Sequence, residues 1–454
     1  MLSQGVLVLG FGLLLALNWP GQMSYDSVVQ LADGRSGHYD SWHPPVMAWL
    51  LGLFDGLLPG TGLYLIFVAL LLLGAWLLLL RRAGSGLAVS IVLLPIFLTP
   101  QLLLYQGTIW KDVLFANAGI AGFAALCAAA QDWPSPTRRH AWLGVAALGL
   151  ALAALARQNG ILLLPVAAVA LGLIAARLEP LRAGWRYGLG FLAASLVVIG
   201  SANFALSLRS DHGQGAANQI RLAQTYDLTG MLRLAPSLPL ARLEEQAPAL
   251  AAAIRKEGVP LYSPHLMDTL ENSSVLTDAI YRAPPGAIFA QWRALIAAHP
   301  LLYLRMRLPV FGWVLAPPDL LLCHPDVVGV DGPPDTVKRL GLAPRIRAQD
   351  RWLYRYVAHF FRTPVLSHIF YGALALLALV LLVLRGTTAD IAVAGLEIAA
   401  LLFAASFFVV SVACDYRYLY FLDLAAMTGW LQLVAGGWRG RASHVPFRTK
   451  NAAG

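Results

Sequence analysis

Between Met23 and Pro45 the chain reads Met-Ser-Tyr-Asp-Ser-Val-Val-Gln-Leu-Ala-Asp-Gly-Arg-Ser-Gly-His-Tyr-Asp-Ser-Trp-His-Pro-Pro. Asp26, Asp33, Asp40, His38, His43 and Arg35 therefore share one short run. The segments on either side are strongly apolar, and anchoring a helix end does not require this much charge. An ionised carboxylate held at such a place can act as a general base on a hydroxyl.

After Gly21, Ser24 suits an N-cap and Gly34 a stop, which predicts a short helix. At about 100° per residue, Asp26, Gln30 and Asp33 fall within about 40° of one direction, opposite Val28, Leu31 and Ala32. The segment reads as an interfacial helix with one acidic stripe. Asp26 lies in its first turn, where the helix dipole favours the ionised form. The simpler alternative is a solvated polar face with capping aspartates. Pro44 or Pro45 can open the next helix. His43 is then held at a rigid corner, able to bond a substrate, a phosphate or only the backbone.

Later polar positions have matching placements. Gln106-Gly-Thr-Ile-Trp-Lys-Asp112 puts Lys111 and Asp112 at a helix start. Arg157-Gln-Asn159 and Cys414-Asp-Tyr-Arg-Tyr418 put Arg157, Asp415, Tyr416 and Arg417 at helix ends. Arginine presents a planar fork suited to phosphate. The alternatives are interface anchoring for Trp110 and Lys111, and internal salt bridges from Arg157 and Arg417 to Asp112 or Asp415. Glu397 and Asp423 fall inside apolar segments, where a carboxylate is a functional candidate by default. Asp423, near the outer end, could support the site. Glu397 receives no role.

The elements that carry these residues are membrane helices. The 454 residues are 58% hydrophobic and 13% charged, against about 25% charged in a soluble domain. The net charge of +9 is explained by arginines flanking membrane segments, so no nucleic-acid partner is expected. Three cysteines, Cys127, Cys323 and Cys414, indicate neither a disulfide framework nor a zinc site, although Cys323 and Cys414 could pair. The N-terminal apolar run lacks a basic start and a small-residue cleavage pattern, so it reads as a retained first helix.

A span needs about 20 mostly apolar residues. Ten segments qualify: roughly 4–19, 61–80, 86–105, 113–130, 141–156, 160–177, 187–207, 365–384, 390–413 and 417–437. The fold class expected is an all-α polytopic membrane protein. Residues 1–207 form an N-terminal module with a catalytic first outer loop (20–60), 208–364 an extracytoplasmic, mainly helical segment, and 365–454 the last spans and a tail. Leu240 to Lys256 reads as a helix ended by Gly258. The apolar Ile288–Leu315 stretch, with Pro300 and Pro309, reads as interfacial or docked. One set of connections holds Arg81, Arg82, Arg138, Arg139, Arg177, Arg182, Arg186, Arg385, Arg439, Arg441, Arg448 and Lys450. The opposite short connections hold only Arg35, Lys111, Arg157 and Arg417. Basic residues favour the cytoplasm, so both termini are expected inside and the polar clusters outside. Charged groups in every short outer loop point to one site at the outer surface.

At Tyr25-Asp26, His43-Pro-Pro45, Trp110-Lys-Asp112, Arg157-Gln-Asn-Gly160, Asp415-Tyr-Arg-Tyr418 and Trp292…His299-Pro300…Tyr303…Arg307, the chain resembles the C-type (GT-C) integral membrane glycosyltransferases. These include the protein O-mannosyltransferases and the lipid A aminoarabinose transferases. The first outer loop of that family often pairs its acids as Asp-Glu or Asp-x-Asp, whereas Ser27 and Val28 follow Asp26 here. The resemblance implies Asp26 as catalytic base. It implies a multi-pass protein of the bacterial cytoplasmic membrane moving a hexosyl or pentosyl group from a polyprenyl-phosphate donor to a glycan, lipid or protein acceptor. Gln30, Asp33, His43, Lys111, Asp112, Arg157, Asp415, Tyr416 and Arg417 are expected to bind substrate. No cofactor is expected; a divalent metal is allowed by the chemistry but not indicated. A flippase of a lipid-linked sugar and an O-antigen-ligase-like enzyme using a polyprenyl-diphosphate donor are the competing readings. Transporters carry midplane polar groups and repeats, and no repeat is seen here.

Overall fold

The computed structural model describes residues 2–81, 86–211, 213–342 and 346–437. Arg82, Arg439, Arg441, Arg448 and Lys450 lie outside the described residues, as does the side chain of Arg182. The protein is an all-α polytopic membrane protein. Eight of the described helices are long and apolar enough to cross a membrane, or nine if one bent pair is a single span. Helices cover most of each of the ten segments expected as spans, but that at 4–19 is shorter than a span and that at 86–105 is bent.

The first half runs through α1 (Leu2–Asn18), α2 (Tyr25–Ser36), α3 (Val46–Leu57), α4 (Gly62–Leu80), α5 (Gly86–Phe97), α6 (Pro100–Leu103), α7 (Lys111–Gln131), α8 (Pro136–Ala156), α9 (Leu163–Leu178) and α10 (Leu181–Ser207). The bent pair is α5 with Pro100–Gly107, which turn by 75°. Pro95 inside α5 and Pro100 just after it cannot donate the bonds a straight helix needs. α1 has 17 residues, short for a span.

α7 is the buried axis of the bundle. Its small residues let neighbours approach closely, which is how helices associate where no hydrophobic drive exists between them. A Cβ on Gly122 would lie 2.6 Å from Leu150, and one on Gly149 of α8 would lie 3.1 Å from the Ala118 carbonyl. The α2–α3 hairpin uses the same device. A Cβ on Gly34 would lie 2.4 Å from the Ala48 carbonyl, and one on Gly52 2.3 Å from the Gly34 carbonyl. Gly34 is thus a crossing point rather than the helix stop expected from sequence. α2 ends instead at Gly37, whose φ of 69° closes the helix in the left-handed region.

The segment 208–364 holds α11 (Gln214–Leu234), α12 (Ala241–Gln246), α13 (Pro248–Ala253), α14 (Val259–Leu261), α15 (Ser274–Arg282), α16 (Ala287–Ala298), α17 (Pro300–Leu315), α18 (Pro334–Arg339) and α19 (Ala348–Ala358). The continuous helix expected from Leu240 to Lys256 is broken at Ala247, because Pro248 starts a new one. Residues between Leu222 and Val310 share a hydrophobic cluster of their own, whereas Val314 to Leu366 pack with the bundle.

The last spans are α20 (His368–Arg385), α21 (Thr388–Val410) and α22 (Tyr420–Gly436). α17 docks on the C-terminal end of α21 through buried Arg307. Its guanidinium donates to the carbonyls of Phe408 at 2.9 Å, Val409, and Ser411 at 2.8 Å, and pairs with Asp227 of α11 at 3.0 Å. Trp292 of α16 donates to the other Asp227 oxygen at 2.9 Å. A cation at a helix C-terminus meets the negative end of its dipole, so one side chain fastens the 208–364 segment to α21. At the opposite end of the bundle, Arg81 pairs with Asp132, Arg139 with Glu179 and Arg385 with Asp390.

Candidate active site

Four isolated β-bridges occur among the described residues, and they join the segments around the polar cluster: Gln22 with Thr108, Met23 with Val330, Tyr39 with Ser210 and Leu266 with Ala413. The first sets the start of α2 beside the start of α7. Gln22 N–H donates to the Gly107 carbonyl at 2.8 Å and Ile109 N–H to the Gln22 carbonyl at 2.9 Å. Ser27 donates to the Ile109 carbonyl, and Trp110 Nε1 to Ser24 Oγ at 2.8 Å. Asp26 is thereby brought against the N-terminus of α7, with Lys111 and Asp112 beside it.

Arg417 lies in the 3₁₀ turn Tyr416–Leu419 that precedes α22. Its Nη1 is 2.7 Å from Asp26 Oδ2, and its Nη2 is 2.9 Å from Asp415 Oδ2. Its Nε approaches Asp112 Oδ2 to 4.0 Å. The guanidinium plane also covers the Trp110 ring at 5.1 Å, a cation–π contact. Arg157 pairs with Asp112 and lies against the rings of Tyr418 at 5.2 Å and Phe407 at 5.3 Å. On the other side of Asp26, His43 Nε2 is 3.6 Å from Oδ1, and Lys111 Nζ is 2.8 Å from His43 Nδ1.

Asp26, His43, Lys111, Asp112, Arg157, Asp415 and Arg417 therefore form one connected cluster. Two guanidinium groups, one lysine and one histidine surround three carboxylates. Burial works to raise the Asp26 carboxyl, but the Arg417 guanidinium, with His43 and Lys111, holds it well below the usual carboxylate range. His43 is pushed down, first by burial and then by Lys111.

The remaining predicted residues lie elsewhere. Gln30 follows Asp26 by one turn but points into the protein, buried, and its Oε1 has no partner among the described residues. Asp33 is two turns along α2, beside Asp40 and Asp211. Burial raises it to about 6, a hydrogen bond from the Asp40 N–H opposes the rise, and the two neighbouring carboxylates add to it. Tyr416 is turned inward, where its hydroxyl donates to Asp423 Oδ2 at 2.7 Å.

That inward network is the support that sequence reasoning reached only through Asp423. His368 Nδ1 lies 2.9 Å from Asp423 Oδ1, and its Nε2 lies 3.1 Å from the Tyr416 carbonyl. Gln101 Nε2 donates to the Tyr416 hydroxyl at 2.7 Å. Gln106 bonds both Asn117 and the Tyr420 hydroxyl. These groups fix the turn on which Arg417 sits. Cys323 and Cys414, the pair the sequence allowed, are joined in a disulfide.

The assembled cluster can do three things. Asp26 can accept a proton, the guanidinium groups can hold a phosphate oxygen, and Lys111 with His43 can supply a hydrogen bond to a nearby oxygen.

No family model matches the chain, and no curated protein matches it. Among solved structures the chain is similar to the Archaeoglobus fulgidus oligosaccharyltransferase. With archaeal AglB in complex with an inhibitory peptide and a dolichol-phosphate, the TM-score is 0.40 at 16% identity, over 95% of this chain and 50% of that chain. With the same organism's enzyme tethered to an acceptor peptide containing the NVT sequon, the TM-score is 0.42 at 14% identity, over 95% and 49%. The chain thus spans about half the length of the chains it resembles.

Proposed function

We propose that the protein is an inverting glycosyltransferase that moves a sugar from a polyprenyl-phosphate donor to an acceptor hydroxyl at the outer membrane surface. The observation that carries this reading is the Asp26 carboxylate bonded at 2.7 Å to Arg417, a general base beside the cation that suits a phosphate. Both groups sit at helix ends, where a lipid phosphate and a soluble hydroxyl can meet. The resemblance of the surrounding motifs to GT-C glycosyltransferases points the same way. The disulfide favours an oxidising compartment for this face, and the ion-paired arginines at the opposite end fit the cytoplasmic side.

In this mechanism Arg417 and Arg157 hold the donor phosphate, with Lys111 beside them. Asp26 takes the proton of the acceptor hydroxyl as its oxygen attacks the anomeric carbon. The bond from that carbon to the phosphate oxygen breaks, and its electron pair leaves on the polyprenyl phosphate, which the guanidinium groups stabilise. A single displacement inverts the anomeric centre. Hydrolases instead need two carboxylates flanking the bond. No metal is required, because guanidinium groups neutralise the phosphate.

The pairing also gives an order of binding. While Arg417 is bonded to Asp26, the carboxylate is a weak base. A donor phosphate that engages Arg417 shares its positive charge and raises the basicity of Asp26. Donor binding thus arms the base before the acceptor reacts.

The test is transfer of labelled sugar from a synthetic polyprenyl-phosphate donor by the purified protein in lipid nanodiscs. Asp26→Asn is expected to bind donor and to transfer it about 10²–10⁴-fold more slowly. Transfer at the wild-type rate by folded Asp26→Asn would remove Asp26 as base.

A further inference from the structure

The groups that meet at Asp26 and Arg417 come from opposite ends of the chain, and one extended segment touches the backbone beside both. Cys323 is bonded to Cys414, the residue immediately before Asp415. The chain then reverses at His324, whose φ of 45° lies in the left-handed region that non-glycine residues seldom adopt. Just beyond, the Pro325 carbonyl accepts from the buried Tyr105 hydroxyl. The Tyr105 ring packs on Tyr416 and Tyr420, each at 5.3 Å.

Four residues after Pro325 the same segment reaches the residues that lead into α2. Met23 N–H donates to the Gly329 carbonyl and Asp331 N–H to the Met23 carbonyl, each at 2.9 Å. Gly329 N–H donates to Gln22 Oε1 at 2.6 Å. Gly332 then seats against Val28, so closely that a Cβ there would lie 2.8 Å from the Val28 Cβ. Asp26 lies between Met23 and Val28.

We infer that residues 323–332 are a strap that sets the separation of Asp26 and Arg417, which makes Cys323, Cys414 and Gly332 positioning residues. One end is covalently fixed to the Arg417 turn, and the other is paired with the backbone that carries Asp26. The strap holds the pair through residues 22–28 and the Cys414 bond, as Gly107–Trp110 holds the start of α2 against α7. A displacement of about 1 Å at a reacting centre costs on the order of a hundredfold in rate, so loosening either end falls mainly on the chemical step. The kinetic part of this inference rests on the proposed function, while the structural part does not.

The experiment compares wild type, the Cys323→Ser/Cys414→Ser pair, Gly332→Ala and the triple variant, all full-length in nanodiscs. Hydrogen exchange is followed in peptides covering residues 22–31 and 411–420. Releasing the disulfide is expected to raise exchange in both peptides, including the distant 22–31. Gly332→Ala is expected to raise exchange in 411–420 as well as in 22–31. Transfer from polyprenyl-phosphate sugar should show kcat reduced roughly ten- to hundredfold with apparent donor KM within about twofold, and the triple variant should be no worse than the more impaired parent, as expected of groups acting through one device. If the cysteine variant does not fold, Gly332→Ala carries the same exchange test. Perturbation confined to the peptide next to each substitution would overturn the strap. Absence of transferase activity in wild type would sink the proposed function and leave the exchange result to decide the strap.

Discussion

Asp26 Oδ2 and Arg417 Nη1 meet at 2.7 Å, one on the helix after the first apolar segment, the other in the turn before the last span. Of the three aspartates in the first loop, Asp26, not Asp33 or Asp40, is the one paired with Arg417. Asp26→Asn is expected to lower kcat by about 10²–10⁴, the usual worth of a general base, with donor affinity retained. Asp33→Asn is expected to stay within about threefold of wild type, since a group outside the reacting contacts carries no such term. The binding order adds a pH signature. The acidic limb of kcat, which reports the donor complex, should lie at higher pH than that of kcat/KM. Initial rates against pH at saturating and limiting donor check this.

Arg417 bonds two carboxylates with separate nitrogens and stacks on Trp110, which an ammonium cannot reproduce. Arg417→Lys is therefore expected to raise apparent donor KM by roughly tenfold or more, in line with the loss of one charge-assisted bond. Arg417→Ala should be worse. Equilibrium binding of a non-transferable polyprenyl-phosphate analogue measures this, and unchanged affinity in both variants would remove Arg417 from the donor site.

Asp33 gives a stability prediction with a definite sign. Burial, then its acidic neighbours, raise it to about 6 from an ordinary value of 3.8. A raised carboxyl binds its proton more tightly in the folded state. Its contribution is fully present below pH 3.8 and is lost as pH rises through about 6. Asp33→Asn removes that loss, and the asparagine oxygen can still accept from Asp40. The variant should melt above wild type at pH 7.5, with the difference vanishing towards pH 4. Thermal unfolding between pH 4 and 7.5 checks it, and a constant difference would contradict it.

Arg307 and Asp227 are both buried, and the arginine also closes the end of α21. Arg307→Met leaves a buried carboxylate with only the neutral donors Trp292 and Tyr303 and should cost about 3–5 kcal/mol. Replacing both partners, as Arg307→Met with Asp227→Leu, should recover much of that loss. Chemical denaturation in detergent measures both, and a double variant as unstable as the single one would argue against an uncompensated charge as the cause.

Much of this architecture is legible in the sequence. The spans follow from long apolar runs, and the cluster of Asp26, His43, Lys111, Asp112, Arg157, Asp415 and Arg417 follows from charge recurring in loops of one sidedness. The misplacements have physical reasons. Helical periodicity puts Gln30 and Asp33 on the side of Asp26 but does not say what that side faces; at Gln30 it faces protein, and at Asp33 it faces Asp40 and Asp211. Gly34 carries the same residue type as a helix stop, yet its missing Cβ is used for contact with α3. Tyr416 neighbours Arg417 in sequence, but the tight turn sends the two side chains in opposite directions. The Cys323–Cys414 bond joins positions 91 residues apart, and no local pattern reports such a contact.

The most direct test of the central claim is the fate of an anomerically defined, isotope-labelled polyprenyl-phosphate sugar in proteoliposomes, read by NMR and mass spectrometry. Wild-type protein is expected to form a new glycosidic bond of inverted configuration, and Asp26→Asn to form it about 10²–10⁴-fold more slowly. Retained configuration, a requirement for a diphosphate donor, or movement of the labelled lipid across the bilayer without any new glycosidic bond would contradict it.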